Sequence, residues 1–168
     1  MTSARARLNF PSMQATKRRH TREDSGIRLD AQGRWWHDGE LIEHPGIIEA
    51  FNRGLSPTQD GRFRLQFGAD WCFVEVEDAA YRVLAIDRTP DEQLSVRLTD
   101  GTIERLDPET LYLGADGALM CQVKQGRAKA KFSREAHFAL GSHFEAMPQG
   151  DLVLTVGEKR YLLPLLRK

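Results

Sequence analysis

The stretch Leu29-Asp30-Ala31-Gln32-Gly33, followed by Arg34-Trp35-Trp36-His37-Asp38-Gly39, decides how the chain is read, because the chain repeats it. Later, Leu113-Gly114-Ala115-Asp116-Gly117 echoes the first five residues. Each copy leads into an apolar strand, Arg34 to His37 and Ala118 to Val123. Each strand then reaches a glycine turn, Asp38-Gly39 or Gln125-Gly126, and a second short segment. A helix is predicted next in both copies. In the first, Pro45 occupies an N1 position, Ile47, Ile48, Phe51 and Leu55 form an apolar stripe, and Gly54 marks a C′ stop. In the second, Ser133 is an N-cap with Glu135 in the first turn, and Ala136, Ala139, Leu140, His143 and Phe144 follow at spacings of three and four. Beyond the helices, GRFRLQFG (Gly61 to Gly68) matches GDLVLTVG (Gly150 to Gly157). Both alternate at period two, turn, and continue as Trp71 to Val76 and Arg160 to Leu165. The order β-β-α-β-β thus occurs twice.

Between the copies lies further strand material: Tyr81 to Ile86, Leu94 to Leu98 and Thr102 to Leu106. Asp100-Gly101 predicts a two-residue type I′ hairpin turn, since that turn demands positive φ at both positions. The expected architecture is α+β and strand-dominated: two related β-β-α-β-β units, the first extended by an extra β-hairpin. Residues 1–25 form a basic tail read as disordered, 26–110 the first unit and 111–168 the second.

The 168 residues carry equal numbers of basic and acidic groups, 24 each, but not evenly. Through Gly26 there are six basic residues (Arg5, Arg7, Lys17, Arg18, Arg19, Arg22) against Glu23 and Asp24, which leaves 18 basic and 22 acidic residues for the rest. A mildly acidic body lacks the basic face that nucleic acid requires, so no nucleic-acid partner is expected. The tail superficially suits a transit peptide, yet it has no helical apolar stripe. No apolar run reaches the length of a membrane span, which points to a soluble, cytoplasmic protein. Cys72 and Cys121 are single, far apart and set in apolar strands, and read as buried structural thiols.

The run IRLDAQGRWWHDGELIEHPGIIEAF, the later VEVEDAAY, and the closing YLGADGAL…GDLVLTVGEKRYLLPL resemble a bacterial family known only as a domain of unknown function, DUF1285. The likeness covers nearly everything after the tail. It implies a two-part, β-rich protein with repeated motifs and a signalling or ligand-sensing role, with no assigned activity. The chain departs from the family pattern at two places. Ala80 stands where proline is usual after Val-Glu-Asp-Ala, and Phe67-Gly68-Ala69-Asp70 replaces a Thr-Pro-Val-Glu run, so no site residue is carried over there.

The repeat serves as an internal control on the chemistry. Leu119, Met120 and Cys121 stand opposite Trp35, Trp36 and His37. Strand alternation makes Trp35 a core residue and His37 a hydrogen-bonded, partly buried one, while Trp36 packs between the halves or lines a cleft. His44 precedes Pro45, where it caps the helix or is exposed. His137 and His143 are not spaced as an i, i+4 metal pair, and no metal or cofactor is expected. Asp70, Glu75, Glu77 and Asp78 form the densest acidic cluster. They read chiefly as a solvated face, neutralised by Arg62 and Arg64 across the sheet. GxSxG, Walker-type GxxxxGK[ST] and HExxH motifs are all absent from the sequence.

The leading expectation is a non-enzymatic module that binds a small molecule or peptide in a cleft between the two units. Its ligand-binding residues would be Trp35, Trp36, His37, Trp71 and Glu77, the aromatics supplying contact area and His37 and Glu77 orienting the ligand. Two alternatives stand beside it: a hydrolase-like enzyme using the acidic cluster with His37, and a protein–protein adaptor. The adaptor would use a strand edge near Leu94 to Leu98 or at the C terminus.

Overall fold

A computed structural model describes residues 19–164; the tail residues Arg5, Arg7, Lys17 and Arg18 and the strand end Leu165 lie outside the described residues. The first unit runs β1 (Ile27–Leu29), β2 (Trp35–His37), β3 (Glu40–Leu41), α1 (Pro45–Gly54), β4 (Leu55–Pro57), β5 (Phe63–Phe67) and β6 (Asp70–Val76). Three strands follow: β7 (Tyr81–Arg88), β8 (Leu94–Leu98) and β9 (Ile103–Arg105). The second unit is β10 (Tyr112–Leu113), β11 (Leu119–Val123), β12 (Ala128–Phe132), α2 (Arg134–Gly141), β13 (Phe144–Ala146), β14 (Leu152–Val156) and β15 (Lys159–Leu162).

The expected repeat is present and larger than its sequence signal, β-β-β-α-β-β-β in each copy. The added strands, β1 and β4 with their counterparts β10 and β13, are two or three residues long, too short for alternation to register. Two of the turns repeat bond for bond. Gly33 N–H donates to Asp30 O at 2.9 Å and Gly117 N–H to Gly114 O at 2.9 Å. Thr58 N–H donates to Arg62 O at 2.8 Å, and Met147 N–H to Asp151 O at 2.8 Å. Gly68 (φ 57°) and Gly157 (φ 58°) occupy the first central position of the β5–β6 and β14–β15 turns, where positive φ favours glycine.

Several local expectations are corrected. Leu55 is not in the helix; it is the extended C-cap residue that opens β4. Gly54 is the last residue of α1 rather than a left-handed stop, and a Cβ there would sit 2.7 Å from the Gln66 carbonyl oxygen. Ala139 is exposed, and His143 and Phe144 lie beyond α2, which buries Ala136 and Leu140. The β8–β9 loop has three residues, not two. Leu98 N–H donates to Thr102 O, Gly101 N–H donates to Leu98 O, and only Gly101 has positive φ there. The paired positive φ of a type I′ turn is found instead at Asp38 (49°) and Gly39 (82°), between β2 and β3.

Two six-stranded sheets result, ordered β3-β2-β1-β6-β5-β4 and β10-β11-β12-β7-β8-β9, with a three-stranded sheet β13-β14-β15. Each six-stranded sheet contains one parallel junction, β1 with β6 and β12 with β7. The inter-copy strands β7–β9 therefore extend the sheet of the second unit, and β8, offered above as an edge, is internal. At the C terminus β15 is an edge, with Leu162 61% exposed. One buried cluster spans both sheets, from Leu29, Trp35 and Leu65 to Val96, Leu119 and Leu140. Cys121 belongs to it, and burial pushes its thiol up to about 12; Cys72 is only half-buried. Among the described residues no helix is long and apolar enough to cross a membrane.

Candidate functional site

The Leu29–Gly33 turn carries a buried carboxylate. Asp30 Oδ1 accepts from the N–H groups of Gln32 (3.0 Å) and Arg34 (2.8 Å), and Oδ2 accepts from Arg34 Nε (2.8 Å) and the Trp36 indole (2.8 Å). Burial alone would raise its pKa, but these bonds together outweigh it and hold the group at about 2. Trp36 is thereby fixed neither between the units nor in a cleft. Its ring is approached by the guanidinium groups of Arg28 and Arg34, at 5.2 and 5.4 Å. Arg28 also forms an ion pair with Glu77, whose other oxygen accepts from Ala31 N–H at 3.1 Å.

The remaining candidates are dispersed. Trp35 is a core residue, its indole bonded to Asn52 Oδ1 at 2.9 Å and its ring edge-on to Phe51. Trp71 is half-buried beside Phe73, with Arg22 over its face at 4.9 Å. His37 is exposed, not partly buried: β2 ends the apolar stretch at Trp35, and its neighbour strand β3 has only two residues to cover it. Its carboxylate neighbour is Asp38, at 3.9 Å, not the acidic cluster. His44 caps α1, accepting from Gly46 N–H at 3.2 Å. Arg62 and Arg64 do not neutralise the cluster either. Arg62 pairs with Glu23 and Asp60 and lies 3.5 Å over Phe73, while Arg64 approaches Trp71.

A groove of about 840 Å³ opens on the first unit. Its walls come from the chain before β1 (Glu23 to Gly26), the β2–β3 turn (Asp38, Gly39), and the start of β5 facing the end of β6, with Phe63 and Phe73 as apolar surface. The end of the basic tail helps to build it: Phe73 N–H donates to Arg22 O at 2.8 Å and the Ser25 hydroxyl to Phe73 O at 2.6 Å. None of the five candidates lines the groove, although Arg28, held by Trp36 and Glu77, does. The cleft between the units is smaller, about 240 Å³, and meets the groove at Gly61 and Phe63. A further hollow of about 290 Å³ lies where the inter-copy segment meets the second unit, around Gln93, Arg105, Asp107, Pro108 and Tyr161. Sequence reasoning missed the groove because its walls meet through the β1–β6 parallel pairing, which leaves no local pattern.

No protein-family model and no curated protein matches the sequence. Solved structures do match the fold. A DUF1285 family protein from Silicibacter pomeroyi DSS-3 superposes with a TM-score of 0.61 at 19% identity, over 82% of this chain and 79% of that one. The fold is the DUF1285 fold. A second DUF1285 family protein, from Shewanella baltica OS155, superposes with a TM-score of 0.55 at 22% identity, over 72% of this chain and 94% of that one. The duplicated β-β-β-α-β-β-β unit is therefore how this chain builds the DUF1285 fold, with the groove formed on its first copy.

Proposed function

We propose that this protein is a non-enzymatic binding module of the DUF1285 family that holds a small ligand in the groove of its first unit. The observation carrying this reading is the groove itself, about 840 Å³ in volume, with Phe63 and Phe73 as apolar surface and charged side chains along its walls. Its walls set the ligand's chemistry. Four carboxylates (Glu23, Asp24, Asp38, Glu75) stand against two guanidinium groups; Arg62 pairs with Glu23, Arg28 with Glu77 outside the groove, and Asp38 with His20, so the walls carry a net negative charge. A compact molecule or peptide side chain with an apolar body over Phe63 and Phe73 and a cationic group matches that lining. Trp36 and Glu77 contribute by holding Arg28 in place, rather than by touching the ligand.

A thermal-shift screen of amines, amino acids and aromatic cations is the test. A ligand that binds only the native state at 100 times its Kd adds about 2.7 kcal/mol, enough to raise the midpoint by several degrees. The shift is expected to vanish in Phe73→Ala and to shrink in Arg28→Ala, Trp36→Ala and Glu77→Ala. A ligand whose shift survives all four variants binds elsewhere and sinks the proposal.

A further inference from the structure

We infer that His20, His37 and Asp38 form a binding site for a divalent transition-metal ion of the zinc type. One donor atom from each of the three lies within 4.8 Å of the others. His20 Nε2 is 2.8 Å and His37 Nε2 3.9 Å from Asp38 Oδ2, and the two imidazole rings are 4.9 Å apart at 43°. In a tetrahedral centre with bonds of about 2.0–2.1 Å, neighbouring ligand atoms sit ~3.3 Å apart, between these two distances. All three side chains are exposed, so rotation about their own bonds is the movement that would draw the donors onto a common ion.

The donor set is specific in chemistry. Two imidazole nitrogens and one carboxylate suit zinc and its divalent neighbours, whereas calcium and magnesium prefer oxygen alone. The backbone is shaped to permit the cluster. Asp38 adopts φ 49°, a conformation uncommon for a residue with a side chain, and its N–H is tied to Gly26 O at 3.0 Å. Gly26 itself has φ 69°, and a Cβ there would lie 2.3 Å from Asp38 Oδ1 and 2.9 Å from His20 Cε1. Only glycine leaves room for the histidine and the aspartate to converge. The site belongs to the first copy, because the counterpart of His37 is the buried Cys121. Three protein ligands leave the fourth tetrahedral position open, as in zinc sites that engage an exogenous group. Gly26 and Asp38 also line the groove, so the ion sits at its rim. The inference does not depend on what the groove holds.

The test titrates the full chain, free of added histidine tags, with Zn²⁺ by calorimetry and with Co²⁺ by visible absorption. One ion per chain is expected, with the intense bands of tetrahedral cobalt. Single variants His20→Ala, His37→Ala and Asp38→Asn should each weaken binding by more than the roughly 10–100-fold that loss of an outer-shell partner costs. Asparagine tolerates positive φ, so Asp38→Asn keeps the turn. His44→Ala and His143→Ala should leave affinity unchanged. Wild-type affinity no tighter than that of a His20→Ala/His37→Ala double variant would overturn the site and reduce the cluster to an ordinary ion pair, as would Co²⁺ bound without tetrahedral bands.

Discussion

Asp30 carries more of the first unit than its single charge suggests. It closes the turn that begins the repeat and holds Trp36 against Arg34. The second copy places glycine at this position and moves the carboxylate to Asp116, whose Oδ1 accepts from Ala118 N–H at 3.1 Å, the counterpart of the Arg34 N–H bond. The turn is thus kept while the chemistry differs. Asp30→Ala leaves the Trp36 indole and two backbone N–H groups without their acceptor, and should destabilise the protein by about 2 kcal/mol in urea unfolding. The pH dependence has a definite sign. A folded-state pKa of about 2 lies below the ordinary 3.8, so the stability Asp30 contributes is complete above pH 3.8 and is lost as pH falls toward 2. The stability gap between wild type and Asp30→Asn should therefore be widest above pH 4 and narrow as pH approaches 2. A gap that stays constant on acidification would contradict the assignment.

At the scale of elements, the two helices end in the same residue for different reasons. Gly54 closes α1 with a Cβ position 2.7 Å from the Gln66 carbonyl oxygen of β5, whereas a Cβ on Gly141 of α2 meets nothing within 4 Å. Neither residue has positive φ, so the usual helix-end argument for glycine applies to neither. Alanine is the better helix former by about 1 kcal/mol, and at Gly141 that preference acts unopposed. Gly141→Ala should be neutral or raise stability by up to about 1 kcal/mol. Gly54→Ala should lower it by roughly 1–3 kcal/mol, because helix and strand must separate. Thermal denaturation of the two variants side by side reads both signs. Gly54 was legible in the sequence as a helix end, but its cause was not, since the clash lies across the sheet packing.

The whole molecule is held together by pairings that cross the repeat boundary. Residues 26–110 include β7, which pairs in parallel with β12 of the second copy. The buried Tyr81 on β7 donates its hydroxyl to Leu55 O in the first sheet at 2.9 Å, and burial, with the charges of Asp100 and Glu104 adding to it, pushes its pKa upward. Lys124, at the β11–β12 turn, forms ion pairs with Asp100 and Glu104 at 2.6 and 2.8 Å, locking the β8–β9 hairpin to the second unit. Unfolding should accordingly be one cooperative transition, with coincident near- and far-ultraviolet dichroism, and segments 26–110 and 111–168 expressed separately should not fold. Two resolved transitions would show that the units are independent. Tyr81→Phe should cost about 1 kcal/mol without splitting the transition.

What the sequence by itself determined is everything encoded over short range. The paired turns at Gly33 and Gly117, the alternation of Phe63–Phe67 and Leu152–Val156, the Ser133 cap and the duplicated order of elements all follow from local sterics and from side-chain periodicity. The tertiary structure decided the rest. The parallel junctions β1–β6 and β12–β7 join segments distant in the chain, and no local pattern records which strands will meet. Those junctions set the groove beside β6 and give the chain before β1 a strand to lie along. His20, read within a solvated tail, reaches Asp38 because the backbone around it hydrogen-bonds to Phe73. Contacts of that kind depend on where whole strands dock, a property of the packed molecule and of no single segment of its sequence.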